Sequence, residues 1–157
     1  MSEAIAAAYR THGPSVLRRA RRILANDADA REVVQDVFLS LVDRPEQFSG
    51  RSSLMTFLYR ATTNRCLNHI RNAKTRLRLL EQRGAVDVEE GPGAEQQAIV
   101  RDLLRQLPEE QAQALVYYYV DEMSQAEISD VLGCSRRHVG NLLERVRAAA
   151  EQPEARA

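Results

Sequence analysis

The stretch that most constrains this chain runs from Phe57 to Arg78, FLYRATTNRCLNHIRNAKTRLR. Wound at 3.6 residues per turn, it places Arg60, Asn64, Asn68, Arg71, Thr75 and Arg78 on one stripe. Leu67, Ile70, Ala73, Leu77 and Leu80 fall on another side, suited to burial. From Arg60 to Arg83 there are seven basic residues against one acid, Glu81. The spacing predicts one long helix with an apolar side and a face of guanidiniums and amides. Such a face donates to phosphates and reads base edges. The plainer alternative is a solvated helix surface.

Helical spacing continues on both sides, and no stretch sustains the alternation of a strand, so the expected class is all-α. Ala4 to Ala25 reads as a helix with Gly13-Pro14 as a candidate break. Asn26, Asp27 or Asp29 caps a second helix, from about Ala30 to Val42. Its apolar residues come in pairs, Val33-Val34, Val37-Phe38 and Leu41-Val42. That arc is wider than one core contact needs, which suggests a second face toward a protein partner. A polar loop, Phe48 to Ser53, precedes the basic helix, with Ser52 or Ser53 as its cap. Ala85 to Ala98 is acidic, holds Gly91-Pro92-Gly93 and lacks apolar periodicity, and it reads as an extended linker. Beyond it, Ile99, Leu103 and Leu107 recur every four residues, and Pro108 opens a helix from Glu109 to Tyr119.

The chain's 157 residues suffice for one compact domain or two small ones. Net charge is zero, yet residues 1–83 hold 15 basic and 8 acidic side chains, and residues 101–157 hold 7 and 10. A basic front half and a mildly acidic back half suggest modules with different partners. No apolar run nears the ~20 residues of a membrane span. The N-terminus lacks the pattern of an export signal, so a cytoplasmic protein is expected. Cys66 and Cys134 are the two cysteines, too few for a disulfide scaffold and suited to a reducing compartment.

Residues 124–147, SQAEISDVLGCSRRHVGNLLERVR, have the layout of a helix-turn-helix. Ser124 and Ser135 cap its two helices, and Gly133 permits the turn. Ala126, Ile128 and Val131 are expected inside, with Val139, Leu142, Leu143 and Val146 anchoring the second helix. Arg136, Arg137, His138, Asn141 and Arg145 then face outward, the first four in the half that enters the major groove in such proteins. Arginine can bridge guanine and asparagine can bridge adenine, which makes this a candidate DNA-reading face.

The order of parts resembles a bacterial sigma factor of the extracytoplasmic function class, within the sigma-70 family. Four segments carry the resemblance: VVQDVFLSL (33–41), the 48–53 loop with TFLYRATTNRCLNHIR (56–71), LPEEQAQAL (107–115) and SQAEISDVLGCS (124–135). The resemblance implies two helical domains riding on RNA polymerase core enzyme. Residues 1–84 would be region two, 85–100 the linker, and 101–157 region four. Region two would bind the minus-ten promoter element and region four the minus-thirty-five element. Glu32, Gln35, Asp36 and Phe38 match the surface for the core enzyme. Phe48, Ser49, Gly50, Arg51, Ser52 and Ser53 match the loop that receives a flipped minus-ten base. Asn64 and Asn68 match helix positions beside that pocket, with Arg60 and Arg71 on the same stripe. Tyr117 to Asp121 falls in the part that docks the core's flap.

An anti-sigma factor is a further partner implied by the resemblance alone. There are departures. Many members carry Trp at the place of Phe57, Asp at Asn68, and basic residues at Gly140 and Leu142. Loss of the last two is expected to weaken phosphate contacts in the second module or to shift them toward Arg136, Arg137 and Asn141.

Two rival readings differ in kind. A metal-binding regulator could use Cys66 with His69 and Cys134 with His138, each pair sharing a helix face, although the pairs lie in separate modules. A stand-alone helix-turn-helix regulator would leave the basic helix without a role. Neither a phosphate loop nor a nucleophile-base pairing stands in the sequence, so an enzyme, a bound cofactor or a small-molecule substrate is not expected.

Overall fold

The structure is a computed structural model that describes residues 3–50, 53–81 and 94–152, with no account of the side chains of residues 73–81 and 94–98. Its described elements are helical: α1 (Glu3–Leu24), α2 (Asp27–Asp43), a 3-10 turn (Pro45–Gln47), α3 (Leu54–Glu81), α4 (Ala94–Gln106), α5 (Glu109–Leu115), a π-helical turn (Val116–Val120), α6 (Gln125–Leu132) and α7 (Arg136–Glu151). Two compact units are present, Met1–Cys66 and Leu67–Ala157, with the division inside α3.

In the first unit, α1 runs unbroken through Gly13-Pro14. Proline removes one backbone bond, at a cost of about 3 kcal/mol in a helix interior. Ala8 before it and Val16, Ala20, Ile23 and Leu24 after it are all buried, so one apolar stripe holds both halves in line. Asn26 is the cap of α2, its side-chain oxygen accepting from the Asp29 N–H at 2.9 Å, so the helix starts earlier than Ala30. Arg31 and Arg21 hold the Asp27 carboxyl below the usual range by hydrogen bonding it, at 2.9 and 2.5 Å, which ties the end of α1 to the start of α2.

The paired apolar residues of α2 go mostly to the core. Val33, Val34, Val37, Phe38 and Leu41 are each 5% exposed or less. The width of that arc is therefore used by burial rather than by a second face. Among the described residues of this unit, Leu39 at 51% and Tyr9 at 52% are the exposed large apolar groups.

A buried arginine ties α1 to α3. Arg19 is 6% exposed; its Nε and Nη2 donate to Thr63 Oγ1 at 3.0 and 2.8 Å, and its Nη1 donates to the Tyr59 hydroxyl at 2.6 Å. The guanidinium carbon also lies 3.5 Å from the Tyr59 ring centroid. Thr62 and Thr63 return their hydroxyl protons to the Leu58 and Tyr59 carbonyls one turn earlier, at 2.7 and 2.9 Å. Cys66, in the same core, has its thiol pushed up to about 12 by burial, with the nearby Arg19 charge opposing.

In the second unit, α4 starts at Ala94, inside the stretch read as a linker, because Ala94 to Gln97 are good helix formers that lead into the Ile99–Leu103 spacing. Residues 82–93 lie outside the described residues. The helix expected from Glu109 to Tyr119 instead stops at Leu115 and widens into the π-helical turn, which brings the Met123 N–H to the Tyr117 carbonyl at 3.0 Å. Among the described residues of this unit, Leu67, Ile70, Leu103, Leu104, Leu107, Ala112, Ala114, Leu115, Val116, Tyr117, Ile128, Val139, Leu142, Leu143 and Val146 are buried apolar side chains.

Two outcomes are expected. Thr63→Val keeps the shape but removes two acceptor contacts from a buried cation, so urea unfolding should show a loss of about 1–3 kcal/mol. An unchanged midpoint would mean the guanidinium does not depend on that hydroxyl. Because thiolate is the reactive form, a thiol with a pKa near 12 stays protonated and inert at pH 8. Maleimide at pH 8 should label half-buried Cys134 well before Cys66, and peptide mapping that finds equal rates would contradict the buried environment.

Candidate nucleic-acid interface

Two outward faces carry the sequence-predicted residues. On α3, Ser53 is the cap: its Oγ accepts from the Thr56 N–H at 3.1 Å. With Leu58, Thr62, Thr63, Cys66, Leu67 and Ile70 inward, Arg60 and Asn68 are exposed and Asn64 is half-buried on the side between them. Arg60 and Asn64 thus lie one turn apart on the first unit's side of the helix, and Asn68 is exposed in the second unit. Arg71 departs from the predicted stripe. It is half-buried, and its Nη2 donates to the Leu107 carbonyl at 2.9 Å, while Arg105 Nε donates to the Ile70 carbonyl at 3.4 Å. Within the second unit, Arg71 thus binds the end of α4 by a backbone contact that spacing could not reveal. The side chains of Thr75 and Arg78 lie outside the described residues.

The loop before α3 is anchored at one end. Phe48 is half-buried, its ring 5.5 Å from that of Phe57 at 62°, so Phe57 supplies an aromatic wall beside the loop. Ser49 is exposed, and Gly50 has φ +78°, a left-handed angle in open space where the backbone, not crowding, calls for glycine. Gln47 steadies the approach by donating to the Ser40 carbonyl at 3.0 Å and the Ser40 hydroxyl at 2.9 Å. Arg51 and Ser52 lie outside the described residues.

On α2, Glu32, Gln35 and Asp36 are exposed. Phe38 is not on that surface: it is 5% exposed and packs edge-on against Tyr9, centroids 5.0 Å apart. It reaches the surface as part of the wall of an open groove of about 770 Å³ between α1 and α2, with Tyr9, Leu17 and Leu39. Arg10, Arg31 and Gln35 rim it. The periodicity of α2 could not show this groove, because half of its wall comes from α1.

The helix-turn-helix is built from its caps. Ser124 and Glu127 form a capping box, the Ser124 Oγ accepting from the Glu127 N–H at 3.1 Å and the Glu127 carboxylate from the Ser124 N–H at 3.2 Å. Gly133 closes α6 at φ +69°, and the Cys134 N–H donates to the Ser129 carbonyl at 3.0 Å. Ser135 caps α7 through the His138 N–H at 3.1 Å. Inside α6, Ile128 is fully buried, whereas Ala126 and Val131 are half-buried and Ser129 takes the second inward place, its hydroxyl donating to the Ala126 carbonyl at 2.7 Å.

On α7, Val139, Leu142, Leu143 and Val146 are buried as expected, and Arg136, Arg137, Asn141 and Arg145 are exposed. Leu142 is 2% exposed, so that place belongs to the core. A side chain at Gly140 would meet the Gln125 Oε1 at 3.5 Å, an ordinary contact. His138 is half-buried, with Nε2 3.0 Å from Glu110 Oε2, a partner the sequence did not announce. Cys66 is fully buried, and among the described residues no three His, Cys, Asp or Glu side chains converge as metal ligands. Among the described residues no helix is long and apolar enough to cross a membrane.

Comparison with known proteins meets these two faces. Sequence models of Sigma-70 region 2 and of Sigma-70, region 4 match residues 8–76 and 97–149. The RNA polymerase sigma-F factor of Kitasatospora aureofaciens is 42% identical over 67 residues, which cover 43% of this chain and 22% of that protein. The fold is similar to that of CnrH, solved in complex with the cytosolic domain of CnrY, at 21% identity, TM-score 0.54, and coverage of 97% of this chain and 88% of that one. It is similar also to the sigma factor RpoE, solved with the anti-sigma factor NepR from Bartonella quintana, at 16% identity, TM-score 0.55 and 96% coverage of both chains. The chain belongs to the sigma-70 family and has the region-two-plus-region-four layout of its extracytoplasmic function class.

Proposed function

We propose that this protein is an alternative sigma factor that binds RNA polymerase core enzyme and directs promoter-specific initiation. The observation that carries the reading is the pairing, in one chain, of an exposed arginine-and-amide surface on α3 with a capped helix-turn-helix whose outer face holds Arg136, Arg137 and Asn141. A stand-alone helix-turn-helix regulator accounts for the second feature and leaves the first unexplained.

Residues 1–84 act as region two, 85–100 as the connection and 101–157 as region four. Region two melts and holds the minus-ten element. Opening DNA costs a few kcal/mol, and capture of an unpaired base beside Phe48, Gly50 and Ser53 offsets part of it. Arg60, Asn64 and Asn68 bond the adjoining strand, and α7 reads the minus-thirty-five element in the major groove. Glu32, Gln35 and Asp36 contact the core enzyme, with Leu39, Tyr9 and the groove beside them adding apolar area to the polar rim. An anti-sigma factor is a further partner, supported by the complexes in which CnrH and RpoE were solved. The site residues have binding roles and no catalytic one.

Run-off transcription with purified core enzyme on genomic DNA tests the whole reading. New start sites should appear when the protein is added, and a set of starts identical to that of bare core would overturn it. Within that assay, Asn64→Ala with Asn68→Ala should abolish open-complex formation, measured by permanganate reactivity, while core binding is retained. Equal loss of both activities would make the stripe structural. Gln35→Ala with Asp36→Ala should weaken core binding at least fivefold in a fluorescence titration, on the order of 1 kcal/mol. Unchanged affinity would remove α2 from the interface.

A further inference from the structure

The first turns of α5 and α7 meet through one pair of side chains. His138 stands in the capped first turn of α7, its N–H donating to Ser135 Oγ at 3.1 Å, which fixes where its ring begins. The ring's Nε2 then lies 3.0 Å from Oε2 of Glu110, in the first turn of α5. The same carboxylate is close enough to Cys134 that its charge opposes ionisation of that thiol, after burial the second cause of the upward shift. Glu110 therefore sits over the corner between α6 and α7, at the end of α7 that enters the groove on the proposed reading.

A carboxylate accepts and does not donate, so the proton in this bond resides on Nε2. That assigns the ring's chemistry at its other edge. In the neutral ring Nδ1 is an acceptor, which meets the amino groups of adenine and cytosine in the major groove and is mismatched to guanine N7 and O6. Without Glu110 both tautomers and several ring orientations are open, and the same histidine can address either class of base. Side-chain exposures of 41% for His138 and 63% for Glu110 mean the pair adds little to stability, so holding the helices together is a poor account of it.

We propose that Glu110 is a positioning residue for promoter reading: by holding Nε2 of His138 it fixes the ring's tautomer and direction, and so narrows the base preference at one position of the minus-thirty-five element. This rests on the assignment of α7 as the reading helix. Glu110 itself touches no base.

The test uses the full chain with core enzyme and a promoter library randomised across the minus-thirty-five element, read by sequencing of run-off transcripts. Glu110→Ala should flatten the preference at a single position, on the order of fivefold, with the other positions unchanged. His138→Ala should flatten the same position, and the double variant should do no more. Glu110→Gln should keep the preference, because its amide oxygen still accepts from Nε2, and thermal melting should be the same for all. A wild-type profile from Glu110→Ala, a uniform gain at every position from loss of a negative charge, or additive effects of the two alanines would each overturn the inference. Arg136→Ala with Asn141→Ala separates the levels. If that variant reshapes the profile and Glu110→Ala does not, this inference alone fails; if neither does, the assignment of α7 fails with it.

Discussion

The first module depends on a positive charge in its core. A guanidinium with 6% exposure is costly to bury, and it is tolerated because a hydroxyl, a phenol and an aromatic face meet it from α3. Those partners are directional. Two donors converge on one oxygen of Thr63 and a third reaches Tyr59, which leaves α3 little freedom to rotate about its axis or slide against α1. An all-apolar contact, being non-directional, would be more forgiving of such a rotation. On a helix the outward stripe is set by the inward one, so fixing Tyr59 and Thr63 fixes where Arg60 and Asn64 point. The buried charge therefore sets the aim of that arginine and amide.

How far the sequence disclosed this differs between the two modules. Helix class, the extent of α3 and the inward face of α7 follow from apolar spacing, and Val139, Leu142, Leu143 and Val146 lie where it put them. Caps were legible for the same reason, since Ser124 with Glu127 and Ser135 are local bonds between near neighbours. Contacts over long sequence separation were not. Arg19 with Thr63, Arg71 with Leu107 and Glu110 with His138 are 44, 36 and 28 residues apart, and nothing in periodicity marks such pairs. Arg19 is one of four arginines between positions 18 and 22, and it is the one that is buried while Arg18, Arg21 and Arg22 are exposed. Arg71 read as part of the DNA stripe and bonds a backbone carbonyl. Charged residues are ambiguous because a single hydrogen bond or aromatic face, invisible in sequence, decides whether they are core, joint or surface.

A second source of error is the width of an apolar arc. On α2 the paired residues suggested an extra face, and burial used nearly all of them. What remains for a partner is a groove shared with α1, where Tyr9 and Leu39 are half exposed beside Gln35. In region four the family comparison ran ahead of the geometry: Leu142 could be taken for a missing basic residue until its 2% exposure showed that the place belongs to the core.

The charge balance bears on how the proposed sigma factor distinguishes promoters from bulk DNA. Residues 101–157 hold more acids than bases, and Glu110 stands against the first turn of α7. Affinity for any duplex grows with the number of phosphates neutralised, so a module of this balance binds DNA weakly and without long-range attraction. Region two is basic, but on the proposed reading its surface takes a strand already unpaired, which a duplex does not offer. Each module alone is thus a poor ligand for closed DNA. Held by a larger enzyme at the spacing of two promoter elements, the second binding event becomes intramolecular and two weak contacts multiply. On the proposed reading, weakness in the separate parts works as a safeguard: an arginine-rich region four would bind anywhere, whereas an acidic one with a few aimed donors would bind where the bases match and the polymerase supplies the rest of the affinity.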